Sequence, residues 1–196
     1  IFAYGQTGSG KTWSMNGAPT PASRGLIPRM NEALFARVAR ETAATARKRF
    51  LVVCSFFEIY NEIIYDLLAT GGDDGNGADA GFSTRGATGA TGGSKGRGLE
   101  IKEHPLLGVY VKGLQEVVVD SNERIEELMT RGQAQRSVGA TMMNADSSRS
   151  HSVFVIKVHQ KLEKAKSGAA DGAGGGEEEE GNIFAKVNLV DLAGSE

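Results

Sequence analysis

A chain of 196 residues with 22 basic and 24 acidic side chains can build one substantial core and carries no global charge bias towards nucleic acid or an anionic membrane. Its one cysteine, Cys54, excludes an internal disulfide framework, and no apolar run approaches the ~20 residues needed to span a bilayer, so a soluble, intracellular protein is expected. Of its 27 glycines, 11 fall in 71–98 and 6 in 168–181. Those stretches lack the apolar content to offset ordering entropy. They are expected to be disordered, dispensable insertions, about 71–98 and 165–181, within a single domain.

The chain opens on Ile1-Phe2-Ala3-Tyr4, which reads as the end of a buried strand. "GQTGSGKT" (Gly5 to Thr12) follows and fits G-x-x-x-x-G-K-[ST]. In that pattern the backbone N–H groups of Gly5, Gln6, Thr7, Gly8, Ser9 and Gly10 line a phosphate cradle. Lys11 reaches the β/γ-phosphates and the Thr12 hydroxyl ligates Mg²⁺. A glycine-rich chain can produce the match by chance; a preceding strand and a following helix are what give it weight. A helix is predicted from Lys11 to Asn16, its N-terminus facing the phosphate. Nucleoside triphosphate binding is the expectation.

Pro19, Pro21 and Gly25 break that helix. Ile27, Met30, Leu34, Phe35 and Val38 then form an amphipathic stripe, predicting a helix that runs to about Arg47 with Pro28 in its first turn. "FLVVCSFFEIY" (50–60) is rich in β-branched and aromatic residues, long and too continuously apolar for an edge strand, as expected of a central strand buried on both faces, with Cys54 a buried reduced thiol. "LEIKE" (99–103), "VYV" (109–111) and "LQEVVV" (114–119) are short strand candidates. A further helix is predicted from Ser121 to about Gln135: Asp120 and Glu123 have capping-box spacing, and Ile125, Leu128 and Met129 share a face.

"NADSSRSH" (144–151) is either a Ser-rich turn or a hydroxyl-rich loop able to ligate Mg²⁺ and position a water, and its spacing does not decide between them. "SVFVIKVHQ" (152–160) and "IFAKVNLVDL" (183–192) are predicted strands. The second ends in Asp191, followed by Gly194. This is the arrangement of an acid that holds Mg²⁺ through water, followed by an N–H that senses a γ-phosphate; a strand-end carboxylate capping a loop would look the same. Strands interleaved with helices around a phosphate loop imply an α/β NTPase core with a central mixed sheet.

"FAYGQTGSGKT", "NADSSRSH" and "DLAGSE", in that order, resemble the motor domain of kinesins. "SFFEIYNEIIYDLL" (55–68) is similar to the family's central strand, and "EHPLLGVYVKGL" (103–114) is most similar to the kinesin-3 subfamily. The resemblance covers the chain except its two Gly-rich stretches. No N/T-K-x-D guanine-reading motif is present, and myosin-type loops lack S-S-R-S-H. The resemblance implies an α/β fold: a P-loop NTPase kinesin motor domain whose central mixed sheet is flanked by helices. Residues 1–196 would be part of it, incomplete at both ends. A kinesin head has strands before the phosphate loop, and after D-L-A-G-S-E a helix, microtubule-binding loops and a neck linker.

For function the resemblance implies ATP hydrolysis coupled to movement on microtubules. The alternative is a kinesin-family microtubule-binding protein with impaired or no ATP turnover. Thr12 and Ser148 would complete the Mg²⁺ shell, with Asp191 binding through water, and Ser147 would help position the attacking water. Arg149 and Glu196 would form an ion pair that closes when the γ-phosphate is present, and the Gly194 N–H would report that phosphate. Trp13 falls where the family places a ring beside the adenine, although it could equally fill the core between helix and sheet. His151 is expected to make a structural hydrogen bond, and the acidic run 177–180 to be a solvated loop. Microtubules (tubulin) are the implied partner, with a location in the cytoplasm on the cytoskeleton. Dimerisation would run through a stalk outside this segment, and neither nucleic acid nor membrane is expected as a partner.

Overall fold

A computed structural model describes residues 1–18, 20–45, 47–69, 98–105, 108–143, 149–163 and 182–196. In chain order the elements are β1 (Phe2–Ala3), α1 (Lys11–Met15), α2 (Leu26–Ala44), β2 (Lys48–Tyr60), β3 (Ile63–Asp66), β4 (Glu100–His104), β5 (Gly108–Lys112), β6 (Val117–Val119), α3 (Asn122–Met143), β7 (Ser150–Leu162) and β8 (Ile183–Asp191). The Gly-rich stretches 71–97 and 165–181 lie outside the described residues, as do Ser147 and Ser148.

Among the described residues the central sheet has 6 strands in the order β1-β8-β7-β2-β3, with β6 sharing the β3 side of β2. Only the β1–β8 pairing is parallel, so the sheet is mixed. β2 is its spine. It pairs with β7 along its whole length, from Lys48↔Leu162 to Tyr60↔Ser150. Its residues 52–58 are all buried, Ser55 and Glu58 among them, as a mostly apolar run predicts for a central strand. β4 and β5 form a separate two-stranded sheet.

Strand alternation divides the sheet into two faces. One carries Val52, Cys54, Phe56, Phe154, Ile156 and Leu189, which pack with Ile27 of α2 and with Ile125, Leu128 and Met129 of α3 into the larger core. Phe56 and Phe154 meet edge to face there, their centroids 5.7 Å apart. Fully burying one such side chain stabilises the fold by about 1.5–3 kcal/mol. The opposite face holds a smaller cluster of Phe57, Ile64, Val153, Val155 and Val190.

Several boundaries differ from the sequence expectation, each for a non-local reason. α2 ends at Ala44 rather than near Arg47, with Thr45 extended (φ −148). β7 draws Lys48 and Arg49 into β2, and Lys48 Nζ reaches back to the Glu41 carboxylate at 2.6 Å. α3 runs on to Met143 rather than stopping near Gln135. Its first turn is capped by Ser121, whose Oγ accepts the Arg124 N–H at 3.3 Å, and not by Asp120. The strand predicted from Leu114 begins only at Val117, because the Gln115 N–H is taken by Asp66 Oδ2 at 2.7 Å. The other oxygen of Asp66 accepts the N–H groups of Leu68 and Ala69. Burial pushes the Asp66 carboxyl up, against these donors.

β3 was not legible as a separate strand. The chain reverses at Asn61 and Glu62, both at positive φ (48 and 63), so that Tyr60 faces Ile63. This is the backbone of a tight hairpin turn, with Glu where the usual signal would be Gly.

Candidate functional site

The phosphate loop joins β1 to α1. Gly8 (φ 78) and Gly10 (φ 87) adopt left-handed backbone, which lets the loop fold without side-chain clashes. Lys11 curls back over the loop, its ammonium donating to the carbonyls of Gly5 and Gln6, both at 2.8 Å. The next residue, Thr12, faces the sheet and donates its hydroxyl to Asp191 Oδ2 at 2.6 Å. The parallel pairing of β1 with β8 (Ala3↔Asp191) is what sets these residues side by side.

Asp191 is only 4% exposed, and its second oxygen, Oδ1, is buried without a hydrogen-bond partner. A buried carboxylate oxygen left unpaired is costly unless something else satisfies it. With the Thr12 hydroxyl beside it, the donor set is all oxygen. That suits Mg²⁺, which takes one or two protein ligands and completes its shell with water and phosphate oxygens. The residues present therefore fit the cation that the motif implies.

An ionic network supports Asp191 from below. Arg136 of α3 places Nε 3.4 Å from Glu58 Oε1 and Nη1 3.8 Å from Asp191 Oδ2. Its Nη2 donates to the carbonyl and hydroxyl oxygens of Ser150, at 3.2 and 3.1 Å. All four residues are largely or fully buried: the side chains of Arg136, Glu58 and Asp191 are 12%, 4% and 5% exposed, and Ser150 is 2% exposed. The sequence reading missed Arg136, Glu58 and Ser150. Nothing local distinguishes Arg136 from the other arginines of α3; the one available signal was a Glu at position 58 inside an otherwise apolar strand.

The segment after β8 folds back onto the phosphate loop. Ser195 N–H donates to the Gly5 carbonyl at 3.2 Å, and Thr7 N–H donates to Glu196 Oε1 at 2.8 Å. Hydrogen bonding from Thr7, side chain first and amide second, holds the Glu196 carboxyl below the usual carboxylate range; the Lys11 charge adds a smaller pull. At Gly194 a Cβ would press on Thr7 Oγ1 and the Glu196 carboxylate, so a larger residue there would displace the contact between these two side chains. His151 Nδ1 accepts the Ala193 N–H at 3.0 Å.

The structure thus gathers Gly5 to Thr12, Asp191, Gly194 and Glu196 around one loop. Arg149 lies exposed at the start of β7 and makes no ion pair with Glu196 among the described residues. Trp13 is 59% exposed, so its indole stands on the surface and does not fill the core between helix and sheet. No helix among the described residues is long and apolar enough to cross a membrane.

A glycine loop carrying a lysine, set on a mixed sheet beside a threonine and a strand-end aspartate, defines a nucleotide-binding protein of the P-loop class. Comparison with known proteins narrows this. A family model described as the kinesin motor domain matches residues 1–196, and the chain belongs to that family. It is 42% identical to mouse kinesin-like protein KIF13A over 196 residues, covering 100% of this chain and 9% of that protein. It is 40% identical to mouse kinesin-like protein KIF14 over 196 residues, covering 100% of this chain and 10% of that protein. Both relatives are of the kinesin-3 subfamily, in line with the likeness of 103–114. The solved structure of a fast kinesin superposes with a TM-score of 0.75 at 37% identity, covering 100% of this chain and 44% of that one. The chain therefore spans about a tenth of the length of these relatives and less than half of the solved kinesin.

Proposed function

We propose that this chain is the nucleotide-handling part of an ATP-driven microtubule motor, which hydrolyses Mg·ATP and couples the hydrolysis to movement along tubulin. The observation that carries the reading is the contact between Thr12 and Asp191, with Asp191 Oδ1 unpaired beside it. A loop serving only as structure would have no reason to bury an unsatisfied carboxylate oxygen beside the threonine hydroxyl that ends it.

In this reading Lys11 exchanges its two carbonyl partners for the β/γ-phosphates, while the amides of Gly8 to Gly10 line the same anion. Thr12 and Ser148 would hold Mg²⁺ directly and Asp191 would hold it through water. The cation, when bound, supplies charge neutralisation at the phosphates. Ser147 aligns the attacking water, and Arg149 pairs with Glu196 once the γ-phosphate is in place. The exposed Trp13 stacks against the adenine. Phosphoryl transfer needs alignment and charge stabilisation above all, and these residues supply both. The protein would work on microtubules in the cytoplasm, as a dimer joined through a coiled-coil stalk outside this segment.

The test is microtubule-stimulated ATPase of the full-length protein. Stimulation by microtubules, abolished by Lys11→Ala, is the expected result. A Lys11→Ala variant that hydrolyses ATP as fast as the native protein would sink the assignment.

A further inference from the structure

His151 follows Ser150 in β7 and takes no part in the chemistry proposed above. Its Nδ1 accepts a hydrogen bond from the Ala193 backbone N–H. Nδ1 can accept only in the neutral ring whose proton sits on Nε2, so the contact selects that tautomer. The bond lies where the β7–β8 ladder has run out, since the last register pair is Ser152↔Asp191. Beyond it, the imidazole stands in for the main-chain acceptor that the ladder no longer provides.

The neighbouring amides show what this bond holds. Leu192 N–H donates to the Ala3 carbonyl at 3.2 Å and Ser195 N–H to the Gly5 carbonyl at 3.2 Å. With Ala193 bonded to His151, Gly194 carries the only N–H of residues 192–195 that makes no hydrogen bond within the described protein. The peptide plane bearing that N–H lies between two planes that are each pinned by a hydrogen bond. Glycine's soft backbone would otherwise let the plane rotate.

We propose that His151 is a positioning residue: through Nδ1 it fixes the Leu192–Ala193 peptide, the plane next to the one that bears the Gly194 N–H, so that this unpaired N–H is held in place for the terminal phosphate. The proposal rests on the reading that this amide meets the γ-phosphate. It makes a prediction that the reading does not. Losing the Nδ1 acceptor should weaken discrimination between triphosphate and diphosphate while sparing diphosphate binding, because the contacts of Lys11 and Gly8 to Gly10 are untouched.

Two variants of the full-length protein separate the possibilities. Asn places its amide oxygen where Nδ1 stands, whereas Gln reaches the position of Nε2. His151→Gln is expected to lower kcat about tenfold, the worth of one ordered hydrogen bond. The ratio of affinities for a non-hydrolysable ATP analogue and for ADP should fall by a similar factor, with ADP affinity and Tm close to native. His151→Asn should restore both readouts. The inference is overturned if both variants match the native protein, if both fall alike, or if His151→Gln loses ADP affinity or Tm in step with kcat, any of which would leave the ring a packing role at most. A native protein that turns over no ATP would count against the motor reading; the analogue-to-ADP ratio would still decide the role of His151.

Discussion

The Thr12 hydroxyl donates to Asp191 Oδ2 at 2.6 Å, joining the end of the phosphate loop to the end of β8 across 179 positions of sequence. Neither residue is saturated by the contact. The threonine oxygen keeps lone pairs, and Asp191 Oδ1 has no partner. In the proposed function the pair would exchange its mutual hydrogen bond for the cation, Thr12 binding it directly and Asp191 through water.

Thr12→Val removes the hydroxyl at nearly constant volume. It should raise the Mg²⁺ concentration needed for half-maximal ATPase and lower kcat by about a hundredfold or more, since a metal on the phosphates is worth several kcal/mol. A Mg²⁺ titration of ATPase checks it. An unchanged Mg²⁺ dependence would mean that Thr12 serves the fold and not the cation.

Arg136 is clamped between Glu58, Asp191 and Ser150 in the protein interior. Arg136→Met should destabilise the motor domain by about 3–5 kcal/mol, because it strands buried carboxylates without their cation. The double variant Arg136→Met with Glu58→Gln should recover part of the loss. Urea unfolding of the complete motor domain measures both, and a single variant as stable as the native domain would contradict the clamp.

Arg149 is exposed and uncommitted to Glu196 in this structure, so its proposed pairing belongs to a closed state. Arg149→Ala should leave ATP affinity within about twofold and cut microtubule-stimulated kcat, because the contact it removes forms only after binding. Steady-state kinetics separate the cases. Normal kcat with a raised KM would place Arg149 in substrate binding instead.

Replacing 71–97 and 165–181 with short Gly-Ser linkers should leave Tm and ATPase nearly unchanged. The chain returns beside its point of departure in both cases: Leu99 N–H donates to the Ile64 carbonyl at 2.9 Å, and Gln160 pairs with Ile183 at the open end of the β7–β8 hairpin. Loop closure costs only ~0.6 kcal/mol per doubling of length. A large fall in Tm, measured calorimetrically, would show that these stretches contribute packing.

Burial pushes the Cys54 thiol from its ordinary value of 9.0 up to about 12. The raised folded value sets the sign. Any contribution from Cys54 is fully present below pH 9, where the thiol is neutral folded or unfolded, and is lost as pH rises from 9 towards 12, where only the unfolded chain ionises freely. Between pH 8 and 10 the motor domain should therefore lose about 1 kcal/mol more stability than its Cys54→Ala variant. Parallel urea melts at the two pH values test this, and identical pH dependence would refute it.

What the sequence determined by itself was whatever depends on spacing along the chain. The phosphate loop is contiguous, so its glycines, Lys11 and Thr12 can be read directly from "GQTGSGKT". The α2 stripe and the long apolar run of β2 announce their elements through periodicity and composition. The place of Asp191 was legible too, as an acid ending an apolar strand. Only the tertiary structure decided how these pieces meet. Parallel pairing of β1 with β8 sets Thr12 against Asp191, and the β2–β7 register extends β2 to Lys48 and Arg49, charged residues that lie outside the apolar run. α3 holds its length and brings Arg136 to Glu58, Ser150 and Asp191, and His151 reaches an amide 42 positions away. Those relationships depend on strand register and helix packing. A local sequence does not encode them, because the same residues shifted by one position would face the other side of the sheet.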